Sequence, residues 1–121
     1  MAISNPTVER CIEDCLQCLR WCSESRDECL TEDPSMMREC IRLCGECIDL
    51  CRACVTLLAD SSPLANRLCG VSAELCDACA AECGKYKGEI MQKCAETCRR
   101  CATSCREIVQ GGPPRRATAQ A

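Results

Sequence analysis

CIEDCLQCLRWC, residues 11–22, sets four cysteines at steps of four, three and four. Such steps hold side chains on one face of an α-helix, with neighbouring Cβ atoms about 5–6 Å apart, and do not fit the alternation of a strand. The phrase CxxxCxxCxxxC returns at residues 40–51 and 94–105, and a fourth copy carries serine in its first place, as Ser72, Cys76, Cys79 and Cys83. Cys29, Cys54 and Cys69 continue these stripes in phase, and Ser25, like Ser72, stands where another cysteine would. All 18 cysteines therefore lie on four helical stripes: Cys11, Cys15, Cys18, Cys22 and Cys29; Cys40, Cys44, Cys47, Cys51 and Cys54; Cys69, Cys76, Cys79 and Cys83; Cys94, Cys98, Cys101 and Cys105.

Proline marks where these helices begin. Asn5-Pro6, Asp33-Pro34 and Ser62-Pro63 each pair a capping residue with proline at a first helical position. The spacing predicts helices over about 6–31, 34–59 and 63–85, with Gly84 and Gly88 flanking a break before a fourth over about 88–109. Four helices of similar length on short turns predict an all-α fold, an antiparallel up-down four-helix bundle occupying residues 1–110. Residues 111–121, GGPPRRATAQA, have no apolar period and are expected to form a flexible tail. In such a bundle the stripe of each helix turns toward the axis, giving a cysteine-lined core.

Composition narrows the chemistry. Of 121 residues 18 are cysteine, and with these set aside only about a third of the chain is apolar, so thiols must supply much of the interior. Histidine is absent, which removes Ser-His-Asp and Cys-His catalysis and every zinc site that needs imidazole; no enzymatic role is expected. A net charge of −3 with one Trp, one Tyr and no Phe leaves neither a basic footprint nor a stacking platform for nucleic acid. The opening MAISNPTVERCIEDC lacks a basic start followed by an apolar run, and no stretch of about 20 apolar residues could span a membrane. The expectation is a cytosolic chain with reduced thiols, in which so many cysteines point to metal rather than to a disulfide framework.

Thiolate-only ligation selects soft ions. Four thiolates on each Zn(II) would leave about −2 per site, and several such sites along one axis would bury a large uncompensated charge. Cu(I) carries +1 and takes two or three sulfurs, so about one ion per thiolate keeps the column near neutral. A continuous ladder of thiols suits bridged Cu(I) ions. Zinc or cadmium thiolate binding of the metallothionein kind and an iron–sulfur redox protein stand as alternatives, together with a disulfide-linked bundle.

On these four in-phase phrases the sequence resembles the bacterial copper storage proteins, specifically their cytosolic branch, over about residues 6–109. The resemblance implies a four-helix bundle filled with many Cu(I) ions on cysteine, assembly as a homotetramer, and a role in holding or sequestering copper. Members of that family often carry histidine at the open end of the bundle, and this chain has none.

The two ends of the bundle differ. Val8, Leu57, Leu58, Ala65, Ile108 and Val109 continue the stripes at one end as an apolar plug. At the other stand Met36, Met37, Met91 and Tyr86, and a thioether is a neutral soft ligand able to pass Cu(I) inward. Ile41, Ile48 and Val55 flank the second stripe on one side, and Leu43, Leu50 and Leu57 on the other, while the first helix adds Ile12, Leu16, Leu19 and Trp21. Part of this apolar surface seals helix to helix, and the surplus favours self-association.

Overall fold

Asn5 opens the first helix as its chemistry requires, its side-chain oxygen accepting the N–H groups of Thr7 and Val8 at 3.1 and 3.2 Å ahead of Pro6. The computed structural model describes residues 5–111. It holds α1 (Pro6–Cys29), α2 (Arg38–Ala59), α3 (Ala65–Cys83) and α4 (Glu89–Gly111), with no strand among the described residues. Each helix packs on two others: α1 on α2 and α4, and α3 on the same pair. Sulfur contacts give the direction. Cys11 meets Cys105, Cys15 meets Cys101, Cys18 meets Cys98 and Cys22 meets Cys94, so α1 rises as α4 falls. Cys29 and Ser25 face Cys40 and Cys44 on α2, which in turn face Cys83 and Cys79 on α3. The expected antiparallel up-down bundle is the observed fold.

Two expected helix starts are corrected. Asp33 and Pro34 do not begin α2: the Asp33 carboxylate accepts the Ser35 N–H and hydroxyl at 3.0 and 2.8 Å, and its carbonyl accepts the Met36 and Met37 N–H groups. The capping chemistry is spent on one closed turn, and α2 starts at Arg38. Ser62 likewise accepts the Leu64 N–H at 3.1 Å within a turn, so α3 starts at Ala65 rather than at residue 63. Ahead of it Ser61 adopts a left-handed φ of 54°, which reverses the chain after α2. The break at Gly84 falls where expected. A Cβ there would lie 2.9 Å from the Ala80 carbonyl oxygen, a close approach that glycine alone permits. Gly111 is the last described residue and is still part of α4, and residues 112–121 of the expected tail lie outside the described residues.

All 18 cysteines are fully buried and unbridged. They form the axis, and a jacket of aliphatic residues closes the seams. Leu43 and Ile48 are buried, while Ile12, Leu19, Trp21, Ile41, Val55 and Leu57 pack against the core from its edge. Trp21 lies beneath the Arg20 guanidinium, 4.5 Å from its ring centre. Among the described residues no helix is long and apolar enough to cross a membrane.

Candidate metal centre

The thiol column owes its continuity to matched register. Because each helix repeats steps of four and three, antiparallel neighbours bring cysteine opposite cysteine at successive levels, and facing sulfurs stand 3.2–3.9 Å apart. Cys18 and Cys76 approach to 3.9 Å across the diagonal of the bundle, so the sulfurs fill the axis themselves. Four sets of four sulfurs and one of three are compact enough to surround a single ion: Cys18, Cys22, Cys47 and Cys98; Cys18, Cys51, Cys76 and Cys101; Cys22, Cys79, Cys94 and Cys98; Cys44, Cys79, Cys83 and Cys94; and Cys11, Cys15 and Cys105. Within each set every sulfur lies within 4.8 Å of the others. The four-sulfur sets share members, which makes them one extended cluster rather than separate cages, and Cys15 joins the three-sulfur set to it through Cys101, 3.7 Å away. Cys29 and Cys40 stand outside them, 3.2 Å apart at one end, with Cys40 3.5 Å from Cys83. Cys54 and Cys69 complete the column beside Cys11 and Cys105.

Burial and shared protons order the column electrically. Burial pushes the Cys29 thiol up. Deeper in, Cys22, Cys83 and Cys101 are pushed up because their S–H groups serve sulfurs around them, foremost Cys18, Cys40 and Cys105. Cys44, Cys76 and Cys105 are drawn down by accepting such donations, foremost from Cys22, Cys101 and Cys101. Cys51 and Cys79 are drawn down to about 7, chiefly by Cys101 and Cys22. A low-dielectric column tolerates negative charge only where neighbouring S–H groups or a cation answer it. Any cation that enters must therefore displace protons.

The two ends are built differently. One opens into a cavity of ≈ 500 Å³ lined by Glu28, Cys29, Glu32, Asp33, Met36, Met37, Tyr86, Lys87, Gly88 and Met91. Met37 and Met91 are 7% and 3% exposed, and the Met91 sulfur accepts the Ser25 hydroxyl at 3.1 Å within the column. Met36 departs from its expected place in the stripe: it is 74% exposed, because the turn after Asp33 sends alternate residues inward and outward. At the opposite end Val8, Leu58, Ala65 and Ile108 are buried, as the sequence implies, whereas Val109 is 40% exposed and takes no part in the plug.

One buried feature has no counterpart in the sequence reading. Asp14 is buried between α1 and α4, where its carboxylate accepts a hydrogen bond from the Ser104 hydroxyl. Each residue precedes a stripe cysteine, Cys15 or Cys105, but so do exposed Arg10, Glu39 and Arg100, so the sequence carries no signal that singles the pair out.

The model of the copper storage protein family matches residues 4–110. The Cu(I)-bound copper storage protein BsCsp3 is 36% identical with a TM-score of 0.81, the match covering 85% of this chain and 98% of that one. Apo copper storage protein 3 from Bacillus subtilis is 37% identical with a TM-score of 0.77, covering 84% and 97%. A Streptomyces lividans copper storage protein, Ccsp, loaded with 10 copper equivalents, is 32% identical with a TM-score of 0.80, covering 88% and 86%. Among curated protein sequences nothing matches. A match over nearly all of the four stripes, joined to the same bundle in solved structures, has one meaning: the chain belongs to the copper storage protein family.

Proposed function

We infer that this bundle holds copper as Cu(I), about one ion per cysteine, with all 18 thiolates as ligands in a shared, bridged column. The observation that carries this reading is the overlap of the sulfur sets: Cys18, Cys22, Cys79, Cys94 and Cys98 each belong to two. Sharing of that kind suits bridging thiolates on singly charged ions, and it frustrates separate tetrahedral sites filled all at once. The role is non-catalytic, a cytosolic reservoir or buffer, and the assembly is a homotetramer of bundles, in keeping with the family resemblance. Exposed Leu16, on α1, and Val71, on α3, supply apolar surface for self-association, which sedimentation of the reduced protein tests. Copper passes through the end that carries Met36, Met37 and Met91, where thioethers lead to Cys29 and Cys40.

An anaerobic Cu(I) titration against a competing chelator tests the reading. Saturation is expected near 18 ions per chain, and saturation at four or five overturns it. Each thiol that binds loses a proton, so loading acidifies an unbuffered solution and affinity rises with pH. The sign follows from the thiols that burial and shared protons hold above their ordinary value, such as Cys29, Cys22 and Cys101. These are protonated at neutral pH, and the work of removing the proton falls as pH rises. Neutral thiols pack as small hydrophobes, so circular dichroism of the reduced apo-protein is expected to be helical.

A further inference from the structure

The four thiols Cys44, Cys79, Cys83 and Cys94 are joined by four sulfur–sulfur distances under 4 Å, against three within Cys18, Cys22, Cys47 and Cys98. Cys44–Cys79, Cys44–Cys83, Cys79–Cys83 and Cys83–Cys94 are 3.9, 3.8, 3.9 and 3.7 Å apart. Zinc–thiolate bonds of about 2.3 Å in a tetrahedron require sulfurs about 3.8 Å from one another. Four of the six edges of this set thus already match a closed tetrahedral site. We propose that Cys44, Cys79, Cys83 and Cys94 form a preorganised tetrathiolate site for one divalent soft cation, Zn(II) or Cd(II), distinct in stoichiometry and charge from the bridged Cu(I) column. This goes beyond the copper reading and does not rest on it.

The charge that argues against filling the whole column with zinc does not argue against one ion. On binding, each thiol of the set that still carries a proton gives it up to solvent, four metal–sulfur bonds form, and no electron moves. The site is left at −2, and S–H or O–H groups that remain protonated surround it. Cys40 lies 3.5 Å from Cys83, and Cys22 lies 3.7 Å from Cys94. Ser25, at a stripe position where a cysteine is otherwise found, sets its hydroxyl oxygen 3.5 Å from the Cys44 sulfur and 3.8 Å from that of Cys83. In the metal-free chain this hydroxyl donates to the Met91 sulfur and accepts from Cys44; once Cys44 is a thiolate, turning the O–H toward it supplies a donor that does not compete for the metal, which is the work of an outer-shell partner. The set Cys18, Cys51, Cys76 and Cys101 shares no member with this one and offers room for a second ion, so the divalent capacity is one to two.

Anaerobic titration of the reduced full chain with Co(II) and with Cd(II) tests the proposal. The first equivalent of Co(II) is expected to give the intense visible bands of tetrahedral thiolate cobalt. Cadmium NMR at one equivalent is expected to show coupling to the β-protons of Cys44, Cys79, Cys83 and Cys94, which identifies the ligands without any substitution. Cys44→Ser and Cys83→Ser, each touching this set alone among the four-sulfur sets, abolish the first step, whereas Thr103→Ala, on the exposed face of α4, leaves it unchanged. Ser25→Ala weakens cadmium by about ten- to a hundredfold. Coupling to a different set of cysteines, or no tetrahedral cobalt spectrum at one equivalent, overturns the proposal. The Cu(I) titration is independent of it: a chain that fails to take up copper but binds cadmium at these four thiols upholds this site and defeats the storage reading.

Discussion

The two ends of this bundle are made from the same helices and finish in different chemistry. At the plug end the stripes run out into Val8, Leu58, Ala65 and Ile108, all buried, with no sulfur beyond Cys11, Cys54, Cys69 and Cys105 among the described residues. At the other end the stripes run out into Met37 and Met91 beneath a cavity edged by Glu28, Glu32 and Asp33, and Cys29 lines its wall. Aliphatic groups exclude water and contribute stability, while thioethers offer soft ligand atoms and carboxylates give the cavity rim negative charge. The same periodic scaffold thus ends in a buried aliphatic cap on one side and in a cavity lined by thioethers and carboxylates on the other, and a handful of terminal residues makes the difference.

The separation can be broken most severely at the plug. Leu58→Ala and Ile108→Ala are each expected to cost about 2–5 kcal/mol, read by chemical denaturation of the reduced apo-protein, with the rate of copper uptake little changed. Faster uptake in these variants would move the door to that end. Next in size is the buried pair nearby. Ser104→Ala leaves the Asp14 carboxylate buried without its partner and is expected to cost about 1–3 kcal/mol, while Asp14→Asn, which keeps an acceptor, costs less.

At the mouth the order of effects reverses. Replacing Met36, Met37 and Met91 together with Leu conserves volume, so stability should change by less than about 1.5 kcal/mol. Stopped-flow loading and chelator-driven release are both expected to slow, with the number of bound ions unchanged. Parent rates in the triple variant would show that the thioethers only fill space. The smallest expected change lies in the plug-end turn, where Ser61→Gly relieves a left-handed φ of 54° and should raise stability by about 0.5–1 kcal/mol.

The stripes made the bundle and its thiol core legible, because a step error of a single residue would have turned a cysteine out to solvent, and none is exposed. Capping signals were less faithful. Asn5-Pro6 begins α1, yet the same chemistry at Asp33 and Ser62 closes separate turns, since a side-chain oxygen caps a lone turn as readily as a long helix. The burial of Met37 and exposure of Met36 follow from that turn and could not be read from adjacent identical letters. Asp14 and Ser104 escaped notice for another reason. Each is ordinary on its own helix, and only the facing register makes them partners.

That register also limits how such a protein can change in length. An insertion or deletion of one residue within a helix rotates everything beyond it by about 100°, carrying a run of thiols out of the axis together. Seven residues, about two turns and 10.5 Å, restore the phase closely, and only if all four helices lengthen at the same level. Larger relatives with the same axial plan are therefore expected to differ by near-heptad blocks shared across the helices, so that capacity grows by whole storeys rather than by single ligands.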